Sequence, residues 1–411
     1  MSIDYCIISA GGKGTRIENI TKDIPKPLYP INGISCLERT IKLIKNFKIK
    51  NIIISICFKS DIFKSKIYLL RKKYNVNIEF FEEKTPLGEC GFIWKISNNL
   101  KGNILFLNSD LIWEIDLDRL LNFHLEKDSD ISLVTHTSLH PEDSDLIKEN
   151  LSKEIFSYSL KPHSSSEIFK SMYLGNSGIS LINSRAIIKI PPPTKKVSFC
   201  NHILQNKDVN KIRVFSYNTS EYIKDMGTEK RLLQVSNDLN NKFPEKKCYK
   251  KKQSCLFLDR DNTLIECPHK EYITSIDQLV FKNDSINLIS KLRSKFDLAI
   301  LITNQPQISM GLVSWEKVNE INSFLISHCL NYGLQIDVIS VCPHHPHSGF
   351  DNEIKYLKVD CFCRKPRPGL ILKEAFLRNI DLNKSLMIGD SSNDELAAKN
   401  SGINFKNVSE L

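Results

Sequence analysis

The sequence predicts two α/β domains in tandem, and three observations indicate them. The chain has 411 residues, which is more than a single hydrophobic core usually organises. Short apolar segments alternate with stretches of helical periodicity in both halves, as in mostly parallel sheets with helices on both faces. Between Asn237 and Gln253 the apolar periodicity ends and lysines cluster, which indicates a domain boundary.

The first domain is predicted over residues 1–236. Short apolar runs predict strands at Tyr5–Ser9, Asn51–Cys57, Asn77–Phe81, Asn103–Leu107, Ile131–Thr135, Gly178–Ile182 and Lys211–Tyr217. Helical spacing of apolar residues predicts helices at Cys36–Phe47, Ile62–Tyr74, Cys90–Asn99 and Leu117–Glu126.

A linker is predicted over residues 237–252 and the second domain over residues 253–411. Its strands are expected at Cys255–Leu258, Leu298–Thr303, Val338–Val341 and Ser385–Ile388. Its helices are expected at Asp284–Lys295, Trp315–Asn331, Gly369–Arg378 and Asp394–Lys399. The two halves share no internal repeat, so they are predicted to be unrelated α/β domains.

The composition narrows the functional class. The net charge is +10, but the lysines are not interleaved with arginine and aromatic residues, which favours phosphorylated small substrates over nucleic acid. No run of about 18 apolar residues predicts a membrane span, and the N-terminus lacks the pattern of a signal peptide. We therefore expect a cytoplasmic protein whose cysteines are thiols or metal ligands. The composition leaves the oligomeric state open, including a homo-oligomer.

A glycine-rich loop follows the first strand. Gly11, Gly12 and Gly14 allow the backbone N–H groups to approach a phosphate, and Lys13 and Arg16 add positive charge. The spacing fits neither a Walker loop nor a dinucleotide fingerprint, so the loop alone predicts only phosphate binding.

Five later motifs make the prediction more specific. They are Pro25-Lys-Pro-Leu28, Thr85-Pro-Leu-Gly88, Asn108-Ser-Asp110, Asn176-Ser-Gly178 and Asp225-Met-Gly-Thr228. With the glycine-rich loop, this ordered set resembles the sugar-1-phosphate nucleotidylyltransferase family over roughly the first 235 residues. The departures are Ser109 in place of glycine and Glu89-Cys90 in place of Thr-Ala.

The resemblance implies a Rossmann-like fold and a role for each motif. Lys13 and Arg16 steady a nucleoside triphosphate, and Lys26 contacts the reacting phosphates. Asp110 and Asp225 hold Mg²⁺. Gly88 lies near the nucleobase, Asn176 and Gly178 bind the sugar, and Lys161 contacts the sugar phosphate. The motif around Lys161 matches the family only in part, because Leu160 stands where the family has glutamate.

A pair of carboxylates follows the first strand of the second half. Asp259 and Asp261 are two residues apart, so both can face one point, as a nucleophile and a general acid–base require. Their charge next to a phosphate demands a divalent cation, for which Asp390 completes a Mg²⁺ site with Asp259 and Asp261. We expect Thr303 and Asn304 to donate to the phosphate and Lys365 to offset charge.

This second set resembles the haloacid dehalogenase superfamily, which implies a second Rossmann-like domain. The order is Asp-x-Asp, Thr303, Lys365 and Gly-Asp-x-x-x-Asp ending at Asp394. Asn262 replaces the usual glycine, and because asparagine tolerates left-handed backbone, the turn is expected to survive.

A compact group of sulfur and nitrogen donors also lies in the second half. Cys342, His344, Cys361 and Cys363 form a closed ligand set for structural Zn²⁺. We expect this zinc to staple the loop that contains Lys365, with binding energy on the order of 10 kcal/mol.

The pattern Cys-x-His…Cys-x-Cys-Arg-Lys-Pro resembles the D-glycero-D-manno-heptose 1,7-bisphosphate phosphatases and, closely, the histidinol-phosphate phosphatases. The resemblance implies that Arg364 reads the substrate. Pro306-Gln307 stands where the family usually has Ser-Gly, so substrate contacts around 306–310 are open.

The leading hypothesis joins the two halves. The phosphatase would remove the 7-phosphate of a heptose 1,7-bisphosphate, and the transferase would couple the heptose 1-phosphate to a nucleotide, with GTP favoured by the resemblance. One alternative is a phosphatase for histidinol phosphate or another sugar phosphate, fused to a hexose-1-phosphate nucleotidylyltransferase. Another is a first half that senses a nucleotide sugar without turnover.

Overall fold

The computed structural model describes residues 2–163, 168, 172–267 and 272–411 and divides into two compact units. Unit 1 consists of Met1–Thr135, Leu151–Leu160 and Asn176–Cys248. Unit 2 consists of His136–Asn150, Lys161–Gly175 and Tyr249–Leu411. Unit 2 is therefore discontinuous in sequence and takes two segments from the first half of the chain. The domain bounds that we inferred from composition stay a prediction.

Strands and helices alternate along most of the described chain. The strands are β1 (Ile3–Ala10), β2 (Pro30–Ile31), β3 (Ile34–Ser35), β4 (Asn51–Ile56), β5 (Asn77–Glu82), β6 (Asn103–Asn108), β7 (Leu111–Glu114), β8 (Ile131–Thr137), β9 (Leu146–Glu149), β10 (Ile155–Ser159), β11 (Leu174–Asn183), β12 (Val214–Asn218), β13 (Tyr222–Asp225), β14 (Cys255–Leu258), β15 (Leu298–Asn304), β16 (Val338–Cys342), β17 (Leu386–Gly389) and β18 (Asn404–Asn407).

The helices of the described residues are α1 (Glu18–Thr21), α2 (Cys36–Asn46), α3 (Ser60–Tyr74), α4 (Gly91–Ile96), α5 (Leu117–Glu126), α6 (Ser184–Lys189), α7 (Phe199–Asn206), α8 (Glu229–Asn240), α9 (Phe243–Lys247), α10 (Asn283–Arg293), α11 (Trp315–Asn331), α12 (Gly369–Arg378) and α13 (Ser392–Ser401). The predicted mixed α/β class is confirmed for both halves. None of these helices combines the length and the apolarity that a bilayer crossing requires.

The sheet of unit 1 is built around β1. β1 pairs in parallel with β4 on one side and β6 on the other, β5 follows β4 in parallel, and β11 is antiparallel to β6. Cys6, Ile7 and Ile8 of β1 are fully buried, as expected for a central strand covered on both faces. Because Ser9 pairs with Asn108, the glycine-rich loop and the Asn108-Ser-Asp110 turn leave the same sheet edge.

The sheet of unit 2 has five parallel strands in the order β16-β15-β14-β17-β18. Leu256 and Leu258 of β14 enter one hydrophobic cluster, whereas Cys255 and Phe257 enter another on the opposite face. The carboxyl ends of β14, β15 and β17 meet at one edge. This places Asp259, Asn304 and Asp390 at a shared site, where open α/β sheets usually bind ligands.

Two segments of the first half of the chain are attached to unit 2 by hydrogen bonds and apolar packing. The hydroxyl of Thr137 donates to the carbonyl O of Asp337 at 2.8 Å, and the indole N–H of Trp315 donates to the carbonyl O of Glu149 at 3.2 Å. Tyr173 packs against one of the two hydrophobic clusters of unit 2. These contacts explain why sequence order and compact units diverge.

The region predicted as a linker contains helical structure. α8 extends to Asn240, and α9 falls entirely between residues 237 and 252. The ring of Phe243 packs edge-on to Tyr222, with the ring centroids 6.1 Å apart. Pro244 of the same helix is buried, and a helix of five residues is too short to show apolar periodicity in sequence.

A buried histidine in unit 1 predicts a loss of stability in mild acid. His124 of α5 bonds through Nδ1 to the Ser132 hydroxyl at 2.9 Å, and burial lowers the pKa of His124 to about 4. The unfolded chain binds this proton near pH 6.5 and the folded chain does not, so stability falls as the pH drops from 7 towards 4. We expect a loss of about 2 kcal/mol between pH 7 and pH 5.

Urea unfolding in a Trp315→Phe background tests this expectation, because the remaining tryptophans, Trp94 and Trp113, lie in unit 1. His124→Asn is the matched control, since the asparagine amide can replace Nδ1 at Ser132 without titrating. Equal pH dependence in the two proteins would contradict the assignment.

Candidate active sites

The first candidate site surrounds the glycine-rich loop of unit 1. Gly14 has a φ of +68°, and a Cβ added there would lie 3.0 Å from the Cβ of Lys26. Glycine is thus needed both for its backbone angle and for the close approach of Lys26. Gly11 lies beside the buried carboxylate of Glu83, and the exposed Gly12 and Lys13 complete the loop.

The backbone segments of two aspartates, Asp110 and Asp225, lie side by side next to this loop. The ammonium of Lys26, which is 9% exposed, forms an ion pair with Asp110. The backbone N–H of Met226 donates to the carbonyl O of Asp110 at 3.2 Å, and Asp225 pairs with Leu111 across β13 and β7. A Cβ at Gly227 would lie 3.2 Å from an Nη of Arg16. The structure therefore brings together four of the five residues predicted to handle the triphosphate and the metal, namely Arg16, Lys26, Asp110 and Asp225.

Asp225 has a cationic partner that the sequence did not reveal. Nη1 of Arg231, from the first turns of α8, lies 3.1 and 2.9 Å from the two carboxylate oxygens of Asp225. Carboxylates are the ligands that Mg²⁺ prefers, so Asp110 and Asp225 fit a magnesium site. Each is balanced by a protein cation in this structure, Asp110 by Lys26 and Asp225 by Arg231.

The backbone of unit 1 is compatible with the positions at which the sequence differs from the family motifs, Ser109 and Glu89-Cys90. Ser109 is buried, its N–H donates to the carbonyl O of Ser9 at 3.1 Å, and it is not among the residues with positive φ, so glycine is not required there. Gly88 has a φ of +81°, and a Cβ there would lie 2.9 Å from the backbone N of Val197. Replacement of the Thr-Ala that follows it in the family therefore leaves the turn itself intact.

The residues predicted to contact the sugar or its phosphate are divided between the two units. Asn176 and Gly178 lie on β11 of unit 1, where Gly178 has a φ of +79° and packs against the Asn108 side chain. Lys161 belongs to unit 2, and its ammonium donates to the carbonyl O of Asp143 at 2.9 Å. The structure thus gives Lys161 a local partner within its own unit.

The second candidate site lies at the carboxyl edge of the unit 2 sheet. Lys365 is 5% exposed, and its ammonium pairs with Asp259 and with Asp394, in the latter case at 2.6 Å. Burial raises the pKa of Asp259 to about 7, against the opposing effect of Lys365. Burial alone would lower the pKa of Lys365, but the two aspartates raise it. The nucleophile candidate is thus a desolvated carboxylate that depends on neighbouring cations for its charge.

Three carboxylates here can share one metal ion. Oxygens of Asp259, Asp390 and Asp394 lie within 4.8 Å of one another, a donor set that fits Mg²⁺. Burial raises the pKa of Asp390, as does the charge of Asp394. The carboxylate of Asp261, which the prediction included, is not in this group, and its two oxygens accept hydrogen bonds from Arg260 and Gln305. The spacing of Asp394 from Asp390 was the available signal for the third member.

The motif after β15 supports the lysine loop. The side-chain amide of Asn304 donates to the carbonyl O of Lys365 and accepts from its N–H, both at 3.0 Å. Thr303 is fully buried and accepts a hydrogen bond from Gln305 at 2.8 Å. Both predicted phosphate donors therefore lie at the site and already have protein partners. Asn262 has a φ of +57°, which confirms the expected left-handed turn.

The sulfur and nitrogen donors converge as predicted. Sγ of Cys363 lies 3.2 Å from Nδ1 of His344, 3.3 Å from Sγ of Cys342 and 3.1 Å from Sγ of Cys361. Two sulfurs of a tetrahedral zinc site are about 3.8 Å apart, so small adjustments would admit the ion. Hydrogen bonds from Cys342 and Cys361 lower the pKa of Cys363 to about 5, which supplies one thiolate. Arg364, next in sequence, donates to the carbonyl O of His344 at 3.3 Å.

Comparison with known proteins agrees with the two sites. A family model described as nucleotidyl transferase matches residues 5–242, more than half of the chain. The chain belongs to the nucleotidyl transferase family. A second model, haloacid dehalogenase-like hydrolase, matches residues 352–408 of this nucleotidyl transferase.

Two of the similar curated proteins are heptose-bisphosphate phosphatases. The D-glycero-beta-D-manno-heptose-1,7-bisphosphate 7-phosphatase of Pasteurella multocida is 36% identical over 156 residues, which cover 38% of this chain and 80% of that protein. A probable heptose-bisphosphate phosphatase of Thermoplasma acidophilum is 31% identical over 156 residues, 38% of this chain and 89% of that protein. The predicted fusion is confirmed, and this nucleotidyl transferase is also a phosphatase.

Two further comparisons are weaker. The histidine biosynthesis bifunctional protein HisB of Buchnera aphidicola is 35% identical over 159 residues, 38% of this chain but only 41% of that protein. The crystal structure of HddC from Yersinia pseudotuberculosis covers 58% of this nucleotidyl transferase and all of that chain, at 22% identity and a TM-score of 0.47.

Proposed function

We propose that this enzyme removes the 7-phosphate of D-glycero-D-manno-heptose 1,7-bisphosphate and then transfers a nucleotidyl group to the heptose 1-phosphate. The observation that carries the proposal is the 36% identity to a heptose-bisphosphate phosphatase over 80% of its length, on a chain that is also a nucleotidyl transferase. The product of the first reaction is a sugar 1-phosphate, which is the substrate class of the second. We propose GTP as the donor, because the combined resemblance favours a GDP-heptose product.

In the proposed phosphatase reaction, a carboxylate oxygen of Asp259 attacks phosphorus and the bond from phosphorus to the C7 oxygen breaks. Asp261 gives its proton to that leaving oxygen. Asp261 then takes a proton from water as the water attacks the aspartyl-phosphate, which releases inorganic phosphate and restores Asp259. Lys365 opposes the negative charge throughout. A Mg²⁺ ion held by Asp259 and Asp390, with Asp394 close by, would neutralise the phosphate oxygens.

In the proposed transfer reaction, the sugar phosphate attacks the α-phosphorus of the nucleotide and pyrophosphate leaves. The glycine-rich loop, Lys13 and Arg16 bind the triphosphate, and Lys26 lies against the reacting phosphates. Mg²⁺ held by Asp110 and Asp225 would neutralise the charge that develops as pyrophosphate departs. Positioning and electrostatics contribute most of the catalysis in such reactions.

We propose that Cys342, His344, Cys361 and Cys363 bind one structural zinc ion that orders the Lys365 loop. Cys363→Ser should lower the zinc content, measured by mass spectrometry of the purified protein, from about one per chain to well below half. Phosphatase activity should fall with it, whereas nucleotidyl transfer should be retained. Cys267→Ser is the matched control, because this thiol of unit 2 lies outside the cluster. Unchanged zinc content in Cys363→Ser would refute the site.

We further propose that residues 1–236 and 253–411 form the two catalytic domains and that the enzyme works in the cytoplasm. Absence from the cytoplasmic fraction of the source cells would contradict the second statement.

The decisive experiment offers the purified protein heptose 1,7-bisphosphate together with each of the four nucleoside triphosphates. We expect release of inorganic phosphate and, with GTP, formation of a GDP-heptose detectable by mass spectrometry. Histidinol phosphate is the comparison substrate, because the Cys-x-His…Cys-x-Cys-Arg-Lys-Pro pattern also resembles the histidinol-phosphate phosphatases. Preferential release of phosphate from histidinol phosphate would overturn the heptose assignment in favour of that second candidate.

A further inference from the structure

Two buried glutamines follow β15 in unit 2. Gln305 is fully buried and Gln307 is 1% exposed. The backbone N–H of Gln305 donates to the carbonyl O of Cys342 at 2.8 Å, so the segment is tied to the neighbouring strand. A buried amide without hydrogen bonds is costly, and the partners of these two side chains therefore indicate what they do.

The two side chains form a chain of hydrogen bonds that ends at the acid–base carboxylate. Nε2 of Gln307 donates to Oε1 of Gln305 at 2.5 Å. Nε2 of Gln305 donates in turn to Oδ2 of Asp261 at 2.9 Å and to the hydroxyl of Thr303 at 2.8 Å. Gln307 thus reaches Asp261 through one intermediate.

The direction of this chain is set at both ends, by the ionised carboxylate of Asp261, which only accepts, and by the carbonyl O of Ile273, to which Nε2 of Gln307 also donates at 3.4 Å. A glutamine amide has one end that accepts and one that donates. Because Gln307 donates to the accepting end of Gln305, the donating end faces Asp261. In the reversed orientation the amide oxygen would repel the carboxylate, and the Nε2 groups of the two glutamines would meet donor to donor.

The remaining contacts of Asp261 leave a defined place for its proton. Oδ1 accepts from Nε and Nη2 of Arg260 at 3.0 and 2.8 Å. Arg260 is 1% exposed and is held by a further bond from its Nη1 to Asn322 at 3.1 Å. A carboxylate has about four acceptor positions, of which three are used by donors within the described part of the chain. The fourth lies on Oδ2, beside the bond from Gln305.

We propose that Gln307 is a positioning residue of the phosphatase: by orienting the Gln305 amide, it aims the open position of Asp261 Oδ2 at the leaving oxygen. The inference rests on the proposed acid–base role of Asp261. It also explains the departure at 306–307, where related phosphatases usually have Ser-Gly. Glycine has no side-chain donor, so this arrangement depends on the glutamine at position 307 of this chain.

The test compares two kinds of phosphate ester in the full-length protein. A sugar alkoxide needs a proton to leave, whereas p-nitrophenolate leaves without one. Gln307→Leu keeps the bulk and removes the donor. We expect kcat/KM for heptose 1,7-bisphosphate, which reports the step that expels the leaving group and not the later attack of water, to fall about 10–100-fold. The kcat/KM for p-nitrophenyl phosphate should fall less than about threefold. An equal fall for both esters would overturn the proposal, because a structural defect affects them alike.

A second variant covers the case in which Gln307→Leu fails to fold. Gln307→Met keeps the length of the side chain but has no donor for Gln305, and the same selective loss is expected. Ser309→Ala is the matched control, since its buried hydroxyl donates only to Pro306 in the same loop. The ratio of the two rates should stay at the wild-type value in this control, and a shift as large as that of Gln307→Leu would overturn the proposal.

A double-mutant comparison separates positioning from an independent effect. In a Gln305→Leu background, Gln307→Leu should change the ratio of alkyl to aryl ester hydrolysis no further. If each substitution lowers this ratio independently, so that the two effects multiply in the double variant, Gln307 does not act through Gln305 and the proposal is refuted. If wild-type protein cleaves p-nitrophenyl phosphate but not the heptose ester, the proposed substrate fails. Histidinol phosphate then serves as the alkyl ester, and the same criterion decides on Gln307.

Discussion

Asp259→Asn should abolish phosphatase activity while leaving nucleotidyl transfer intact. The amide cannot form the aspartyl-phosphate, so we expect kcat for phosphate release to fall by roughly 10⁴-fold or more. The fold should survive for two reasons. Burial already raises the pKa of the Asp259 carboxyl to about 7, so a neutral amide is tolerated there, and Lys365 keeps its bond to Asp394 at 2.6 Å. Phosphate release and nucleotide-sugar formation, measured on the same preparation, check both statements.

The comparison carries its own control. Asp277→Asn makes the same chemical change at an exposed position of unit 2 and should leave both activities unchanged. Substantial phosphatase activity in Asp259→Asn would mean that another group attacks phosphorus. Loss of nucleotidyl transfer in the same variant would instead point to a defect of the whole chain.

Asp110→Asn should have the opposite selectivity. Replacing one of two proposed metal ligands should lower nucleotidyl transfer by roughly 10³-fold. It also removes the charge that Lys26 pairs with, so the lysine beside the glycine-rich loop loses its anchor. Phosphatase activity should not change, because the carboxylates of that site belong to unit 2.

Binding measurements separate the two effects of Asp110→Asn. Calorimetric titration of Mn²⁺ into the nucleotide-bound protein should show weaker metal binding if Asp110 is a ligand. Asp61→Asn, at an exposed carboxylate of unit 1, should bind Mn²⁺ as the wild type does. Unaltered metal affinity in Asp110→Asn would reduce the role of this aspartate to holding Lys26.

Sequence reasoning predicted most of the fold because apolar runs and helical spacing are local properties. β14, α11 and α12 have the predicted bounds. β7 and β13 were missed, since each has four residues and gains its stability from pairing with the other, about 110 positions away. α9 was missed because its five residues are too few to produce a periodic signal.

The candidate sites show the same division. Residues that act through a family motif, such as Asp259 and Lys365, were predicted because the motif is contiguous in sequence. Residues whose role depends on contacts formed only in the folded chain were not predicted. Arg231 reaches Asp225 from the next helix, and Gln307 reaches Asp261 through Gln305. Such partners are defined by where strands end, and only the folded chain reveals them.

The discontinuity of unit 2 bears on how this gene could be divided. The predicted linker favours a cut at residue 252. The downstream fragment would then lack the Glu149 carbonyl that accepts from Trp315 and the Thr137 hydroxyl that donates to Asp337. The upstream fragment would expose Tyr173, which packs against the core of unit 2. Two separately expressed halves would each expose groups that are paired or buried in the full chain, so we expect both fragments to be less soluble than the full chain.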